Sequence, residues 1–491
     1  MRTFFALVLS GGLALSSSCT QPAESFTCAN DAQCSLNGAA GACEPTTHAC
    51  SFLDSTCPSG RRYGQYAGSG LGETCICGGP GQPCCTSGAE CQLGTLTCSS
   101  GICISCLSSI SVRAKHSCVR TIKGSAYCWG ENDEGQLGAG NTDPTTAPVR
   151  VRGLGGAPMT GIAEIVAGAG HSCARMTDGG TVWCWGKNDD GQTGNGTFTT
   201  NCGKNCPAVQ VLTGKGSGPL TGATKLAAGF NHTCALKDGA LQCWGLNLAG
   251  QLGDGTTNPS AVALVVNQSP GGGALGVLAE AAAGMSHTCA RMDDGNVYCW
   301  GDNLSGQLGN GSAGEAAGAQ WPTAVHLEKK GVGIVQVAAG EDHTCARKDN
   351  GPLYCWGEDK YGQVGDNSTD AKPTPTSVLS FSGSVFLSTG EDGTCAVKGD
   401  GSLWCWGNNG NGQLGDGTVE NQRNVPTAVL DADGQPLSQV TQVGMGESHT
   451  CALKNDGTVW CWGLNSVGQL GVPAATLGIS TKPIQVPLTC E

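Results

Sequence analysis

Charge is scarce in this chain. Only 13% of its 491 residues are Asp, Glu, Lys or Arg, about half the usual quarter of a soluble domain. Aromatic residues are few as well, at 5%. The 26 bases are outnumbered by 39 acids, for a formal net charge of −13, and they form no cluster. Without a basic patch there is nothing to hold a phosphate backbone, so nucleic acid is excluded as a partner. Beyond the first residues no stretch approaches 18 consecutive apolar positions, which excludes a later spanning helix. Gly-rich phosphate loops, nucleophile elbows and metalloprotease patterns are all missing. No cofactor, metal or catalytic residue is therefore expected, and the chain does not read as an enzyme.

Glycine and cysteine are abundant instead, at 80 and 31 residues. The glycines follow no Gly-X-Y period, which excludes collagen. So many thiols do not suit a reducing cytosol. Residues 1–18, MRTFFALVLSGGLALSSS, carry one cation, Arg2, then an apolar run from Phe4 to Leu15 and small residues. This is a secretory-type signal. It ends at Cys19, in a stretch resembling a bacterial lipoprotein cleavage box, although Ser16 stands where such boxes carry Leu. Either Cys19 is lipidated or it is one more disulfide half. Parity favours lipidation, since removing one cysteine from 31 leaves an even set. Thr20, not Asp, follows it, which by the same resemblance implies an outer-membrane anchor.

Internal repetition dominates the rest. One segment recurs seven times, starting at His116, His171, His232, His287, His343, Gly393 and His449. The fourth copy shows its strands: Ala279–Gly284, His287–Met292, Asn296–Gly301 and Pro322–Leu327. Asp294-Gly295 between the second and third is a hairpin signal, because glycine accepts the positive φ of a tight turn. Four short strands per unit, repeated with no helical period, predict an all-β fold, a seven-bladed β-propeller of four-stranded blades. The expected organisation is a signal at 1–18, a Cys-rich disulfide module at 19–106 and the propeller at 107–491.

The pattern AGxxHTCAL, DG, VYCWGxNxxGQLGxG and PxxV resembles the regulator of chromosome condensation repeat, which implies the same seven-bladed fold. Members of that family in the cell interior usually lack paired cysteines in every unit, and here all seven units have them. The pairs are Cys118/Cys128, Cys173/Cys184, Cys234/Cys243, Cys289/Cys299, Cys345/Cys355, Cys395/Cys405 and Cys451/Cys461. Each straddles its hairpin turn, so the two residues face each other within disulfide reach. Zinc would need four ligands at shorter spacings. The recurrent histidines (His116, His171, His232, His287, His343, His449) read as structural, because an active site is one asymmetric place. The tryptophans of Cys-Trp-Gly read as packing residues. The Asn/Asp loops lack the carboxylate spacing of a calcium loop and read as turns.

The segment before the propeller has few large apolar residues, so disulfides must replace a core there. Cys28, Cys34, Cys43, Cys50, Cys57 and Cys75 form one even set. Cys77, Cys84, Cys85, Cys91, Cys98 and Cys103 form another, with connectivity open in both. Cys202 and Cys206 pair within the loop of the second copy, GNGTFTTNCGKNCPAVQV, which is the largest departure from the repeat and hence a candidate binding loop. Cys106 and Cys490 are left over. They flank the repeats and would join the two ends of a closed ring.

The reading of function is a non-enzymatic, extracytoplasmic, lipid-anchored monomer that binds a protein or glycan. The family resemblance implies two alternatives, guanine-nucleotide exchange on a small GTPase and inhibition of a secreted enzyme. An extracytoplasmic site would hold neither GTP nor a GTPase.

Overall fold

The computed structural model describes residues 105–488, apart from 200–206, 215–217, 270–274, 328–332, 350, 420–421 and 475–476, and short backbone strands between 35 and 105. The chain divides into two compact units, Met1–Ile104 and Ser105–Glu491. The first unit contains strands of two to four residues. In its three-stranded sheet, Ala42–Cys43, Cys50–Leu53 and Arg61–Tyr63, positions 43 and 50 stand opposite each other. Cys19, Cys202, Cys206 and Cys490 lie outside the described residues.

The second unit is a ring of seven four-stranded antiparallel sheets, each formed from consecutive chain. Blade 1 comprises Leu107–Arg113, His116–Thr121, Ala126–Gly130 and Thr145–Arg150, and blade 7 comprises Val440–Met445, His449–Lys454, Val459–Leu464 and Ile479–Gln485. The first strand of each blade packs against the first strands of its two neighbours, so these seven strands line a central channel. Among the described residues no α-helix occurs.

The central hairpin of each blade follows directly from its residues. In blade 4, His287–Met292 pairs with Val297–Gly301, and Gly295 takes φ 85° in the turn between them. Asp294 Oδ1 accepts from the Asn296 amide at 2.9 Å and braces that turn. The fourth strand departs from the sequence reading. It is Ala319–Ala324 rather than Pro322–Leu327, and in blade 7 it is Ile479–Gln485 rather than 482–487. The irregularity opposite Cys299 and Gly301 shifts the register, and Pro322 is tolerated because this outer strand has a free edge.

The cysteine pairs stand directly opposite each other on these hairpins and are bonded, with Cα atoms 4.1 Å apart in every blade. They are Cys118–Cys128, Cys173–Cys184 and Cys234–Cys243 in blades 1 to 3. Cys289–Cys299, Cys345–Cys355, Cys395–Cys405 and Cys451–Cys461 follow in blades 4 to 7. The hairpin loop absorbs the differences in spacing, from 9 to 11 residues.

The seven expected pairs are thus bonded as read from the sequence. The fold adds a second role, since every one of these cysteines is fully buried and packs against the next blade. Cys118 and Cys128 of blade 1 pack with Leu137, Val151 and the blade 2 residues Ile162, Ile165 and Trp185. Cys184 packs with Val211 and Trp244, and Cys243 with Val266 and Trp300. Cys355 joins Val378, Phe381 and Trp406, and Cys405 joins Val429 and Trp462. The physical reason is their place on the inner strands, where a disulfide is a compact apolar group facing the neighbouring sheet. All seven apolar clusters therefore lie between blades. A single blade has no core of its own.

Ring closure uses this same interface. Blades 1 and 7 are each complete, so no strand is exchanged between the chain ends. Trp129 and Ile110 of blade 1 share a cluster with Cys451, Cys461 and Val486 of blade 7. The Gln442 side chain accepts from the Ile110 amide at 3.3 Å and donates to Ser108 O at 3.1 Å. Cys106 and Leu488 are buried in the same cluster. Cys106 is disulfide-bonded, to a partner outside the described residues.

Cys490 is two residues beyond Leu488, and the expected partner of Cys106. Non-reducing peptide mapping should recover one cross-linked species containing both. In the chain-entropy account so long a loop stabilises by an upper figure of about 5 kcal/mol, so Cys490→Ser should lower the melting temperature clearly. A bond from Cys106 to Cys103 would overturn the pairing.

Candidate functional site

The repeated polar residues form a deck of bonds that runs around the ring. In GQLG of blade 1, the carbonyl of Gln136 accepts the Trp185 indole N–H of blade 2 at 2.9 Å and the Ser172 hydroxyl at 2.8 Å. The equivalent tryptophan bond occurs at all seven junctions, including Trp129 to Gln469 O at 3.0 Å. The last glycine of the motif must be glycine: a Cβ on Gly253 would come within 2.6 Å of Trp300 Nε1, and its φ is +67°.

Each histidine spans to the next blade. His287 Nε2 lies 2.9 Å from Thr344 Oγ1, and His171 Nε2 lies 2.7 Å from Thr233 Oγ1. His449 closes the circle on Ser117 at 2.9 Å. Thr344 gives its own proton to Gln307 O at 2.9 Å. It must therefore accept from the imidazole, which fixes the neutral ring with hydrogen on Nε2. All six rings are fully buried. Burial pushes His116 down to about 4 and the other five to about 3. These side chains are neutral clasps, with no free imidazole at the surface. The bonded cysteines beside them, Cys184, Cys243, Cys355 and Cys405 among them, are equally inaccessible and offer no thiol to a ligand or metal.

Blade 6 breaks the pattern at Gly393. Its vacant place is filled by Met445 of blade 7, since a Cβ on Gly393 would come within 2.5 Å of Met445 Cε. Other blades carry Val112, Ala167, Ala228, Ala283, Ala339 or Thr389 where Met445 stands. One large side chain has moved across the junction to replace the other.

Blade 1 carries a second exception one residue further along, Arg113, where the other six blades have glycine. Its guanidinium crosses the ring interior and donates to Ala339 O of blade 5 at 3.1 Å and to Ala283 O of blade 4. It also lies over the Phe230 ring, 5.3 Å from the centroid. Burial lowers its pKa to about 10, opposed by the charges of Glu391 and Glu341.

Above Arg113 the channel opens into a mouth built by the loops between first and second strands. Backbone bonds link these loops, such as Glu341 N to Glu391 O at 3.2 Å and Glu447 N to Ala114 O at 3.0 Å. The mouth has two unlike halves. Blades 3 and 4 present Phe230 and Met285, flanked by Leu248 and Leu304, which are 71% and 56% exposed. Blades 5 to 7 present Glu341, Asp342, Glu391, Asp392 and Glu447. Burial and then the like charges around it push Glu391 up to about 8 and Asp342 to about 7. The Asn/Asp loops surround this face. Their side chains are used in turns: Asn303 Oδ1 accepts the Leu308 amide at 2.9 Å while Nδ2 donates to Ser312 O at 2.9 Å. Sequence reasoning took the histidines as structural but missed their partners, Arg113 and the acidic half. The signals were Arg113 itself, at a position that is Gly in the other six copies, and the variable pair that follows that position, which reads Glu-Asp, Glu-Asp and Glu-Ser in the last three copies.

The family model for the RCC1-like domain matches residues 84–444 and 274–490. The ultraviolet-B receptor UVR8 of Arabidopsis thaliana is 32% identical over 371 residues, covering 74% of this chain and 78% of that protein. The human E3 ubiquitin-protein ligase HERC2 is 29% identical over 279 residues, 55% of this chain but 5% of its own length. Among solved structures, yeast RCC1 (Prp20) bound by Kap60 matches with TM-score 0.61 and 20% identity, covering 77% of this chain and 85% of that one. Human WBSCR16 matches with TM-score 0.59 and 24% identity, over 74% and 94%. At these identities the two structures show the fold alone.

Two measurements check the deck. An imidazole near 6.5 when unfolded and about 3 when folded contributes stability above pH 6.5 that is lost as pH falls toward 3. His171→Gln keeps a donor for Thr233 but does not titrate. Its stability, followed by urea unfolding from pH 6 to pH 4, should fall less steeply by about one proton, ~1.4 kcal/mol per pH unit; a curve parallel to the parent's would contradict a ring held neutral. At blade 6, Gly393→His should cost roughly 1–3 kcal/mol by overpacking, and Met445→Ala roughly 2–5 by cavity formation. The double variant should cost less than the sum by about 1 kcal/mol or more, whereas additivity would show that the two sites do not exchange volume.

Proposed function

The chain belongs to the RCC1-like domain family, and we propose that it is a non-enzymatic, extracytoplasmic scaffold that binds a protein partner at its divided mouth. The observation that carries this reading is a separation of roles. Residues repeated in every blade are buried in bonds between blades, while residues that differ stand at the mouth, as on other rigid scaffolds. An apolar half beside a carboxylate half suits a basic segment carrying an apolar anchor. Lys360 already sits between Glu358 and Asp392 at 3.4 and 3.9 Å, as a cation placed in this surface would. The candidate loop around Cys202 and Cys206 lies outside the described residues, but its first residues reach the same face, where Phe198 is 51% exposed.

The disulfide in every blade and the signal-like start support export, with Cys19 as the lipid anchor in an outer membrane. Yeast RCC1, seen bound by Kap60, is a relative in fold that engages a protein. The ligase name of HERC2 belongs to a protein of which this chain spans one-twentieth.

The test joins surface and location. The intact ring, used as bait in cell-envelope extracts, should capture a partner whose retention falls about tenfold or more in Glu341→Gln/Glu447→Gln and in high salt. Cys19→Ser should move the protein from the membrane fraction to the soluble one. Capture unchanged by the glutamine pair would overturn the mouth as the binding surface, and an unmodified mature N-terminus elsewhere would overturn the anchor.

A further inference from the structure

The opposite end of the channel holds a cavity of about 460 Å³, within the range of small-molecule sites. First strands of blades 1 to 4 line it at their N-terminal ends. With strands of six or seven residues it lies about 15–20 Å from the acidic mouth, and Arg113 stands between the two. Its charged lining is Arg120, Arg175 and Lys225 against Glu164 and Glu280. A surplus of cations is unusual for a chain of net charge −13.

Hydrogen bonding sharpens this imbalance. One oxygen of each carboxylate clasps adjoining blades. Glu164 Oε2 accepts from Arg175 Nε at 3.1 Å and from the Leu226 amide at 3.2 Å. Glu280 Oε2 accepts from Arg291 Nε at 3.4 Å and from the Val337 amide at 3.3 Å. The cations are only partly used. Arg175 engages Nε alone, and its two terminal amino groups have no partner among the described residues. Arg120 gives Nε to Ile162 O and Nη1 to Ser108 Oγ, leaving Nη2. Lys225 gives one of its three hydrogens to Ala279 O at 2.9 Å. Ser109 Oγ is also unengaged in the lining. Forked guanidinium donors, hydroxyls and two spare carboxylate oxygens therefore meet around one half-open cavity.

We propose that this cavity binds a sugar acid, with the sugar's carboxylate held by the terminal groups of Arg175 and Arg120. Planar forks pair with carboxylates in this way. The sugar hydroxyls donate to the free oxygens of Glu164 and Glu280 and accept from Lys225 and Ser109. Neither a bare anion nor a neutral sugar uses both sets. The site is independent of the protein-binding mouth.

The test is titration of the full chain with glucuronate, followed by calorimetry and by saturation-transfer NMR. Glucose and acetate serve as controls, and an oligomer of glucuronate distinguishes a free sugar acid from a polysaccharide residue. Glucuronate should bind at millimolar concentration or below, with glucose and acetate weaker by about tenfold or more. Arg120→Gln/Arg175→Gln should abolish the difference between glucuronate and glucose. Because Arg120 also bridges blades and Arg175 holds the clasping Glu164, Ser109→Asp is the second variant. It places a carboxylate in the cavity without removing a clasp, and should abolish glucuronate binding with the melting temperature unchanged. Equal binding of glucose, binding unaffected by Ser109→Asp, or no saturation of glucuronate at millimolar concentration would overturn the proposal.

Discussion

The backbone carbonyl of the glutamine in GQLG is the point on which this ring depends. In most blades it receives two protons from the next blade, one from an indole and one from a hydroxyl. The hydroxyl is then committed to accepting from the histidine behind it. One loop carbonyl thus sets the rotamer of a tryptophan, the direction of a hydroxyl and the tautomer of an imidazole. Buried polar groups are costly unless every one is satisfied, and here full satisfaction is reached only when the neighbouring blade is in place. The apolar layers obey the same condition, since each disulfide packs against the tryptophan of the next unit.

What could be read from the sequence follows from where each signal resides. Central hairpins were legible because turn glycines, alternation and facing cysteines all lie within about a dozen residues. Outer strands were displaced by about three residues, since nothing but a proline marks them and a register irregularity precedes them. The histidine–threonine clasp could not be read at all. Its members are 51 to 62 residues apart in sequence and meet only through the ring. The packing of Cys184 on Trp244, or of Cys355 on Trp406, was hidden in the same way.

The candidate sites were hidden for a different reason. Repetition draws attention to what is shared, and the shared residues are used up in holding the blades together. Met445 occupies a position that is Val, Ala or Thr in the other six copies, and Arg113 the next one along, which is Gly in the other six. The glutamates at 341, 391 and 447 occupy another that is Ala, Phe or Met elsewhere. Subtracting the consensus, rather than building it, exposes all of them. It also shows that charge is sorted between the two ends of the channel, with carboxylates gathered at one and guanidinium groups at the other, although the chain as a whole is poor in charge.

Arg113 is a spoke of fixed length. It is anchored in blade 1 and reaches the carbonyls of Ala283 and Ala339 on the far side of the ring. The same repeats arranged six or eight to a circle would change the span it must cross, leaving the guanidinium crowded against the far wall or short of it. A buried guanidinium without acceptors is severely unfavourable. The side chain therefore acts as a gauge of diameter: in a fold made of near-identical parts, one residue measures whether the right number has been assembled.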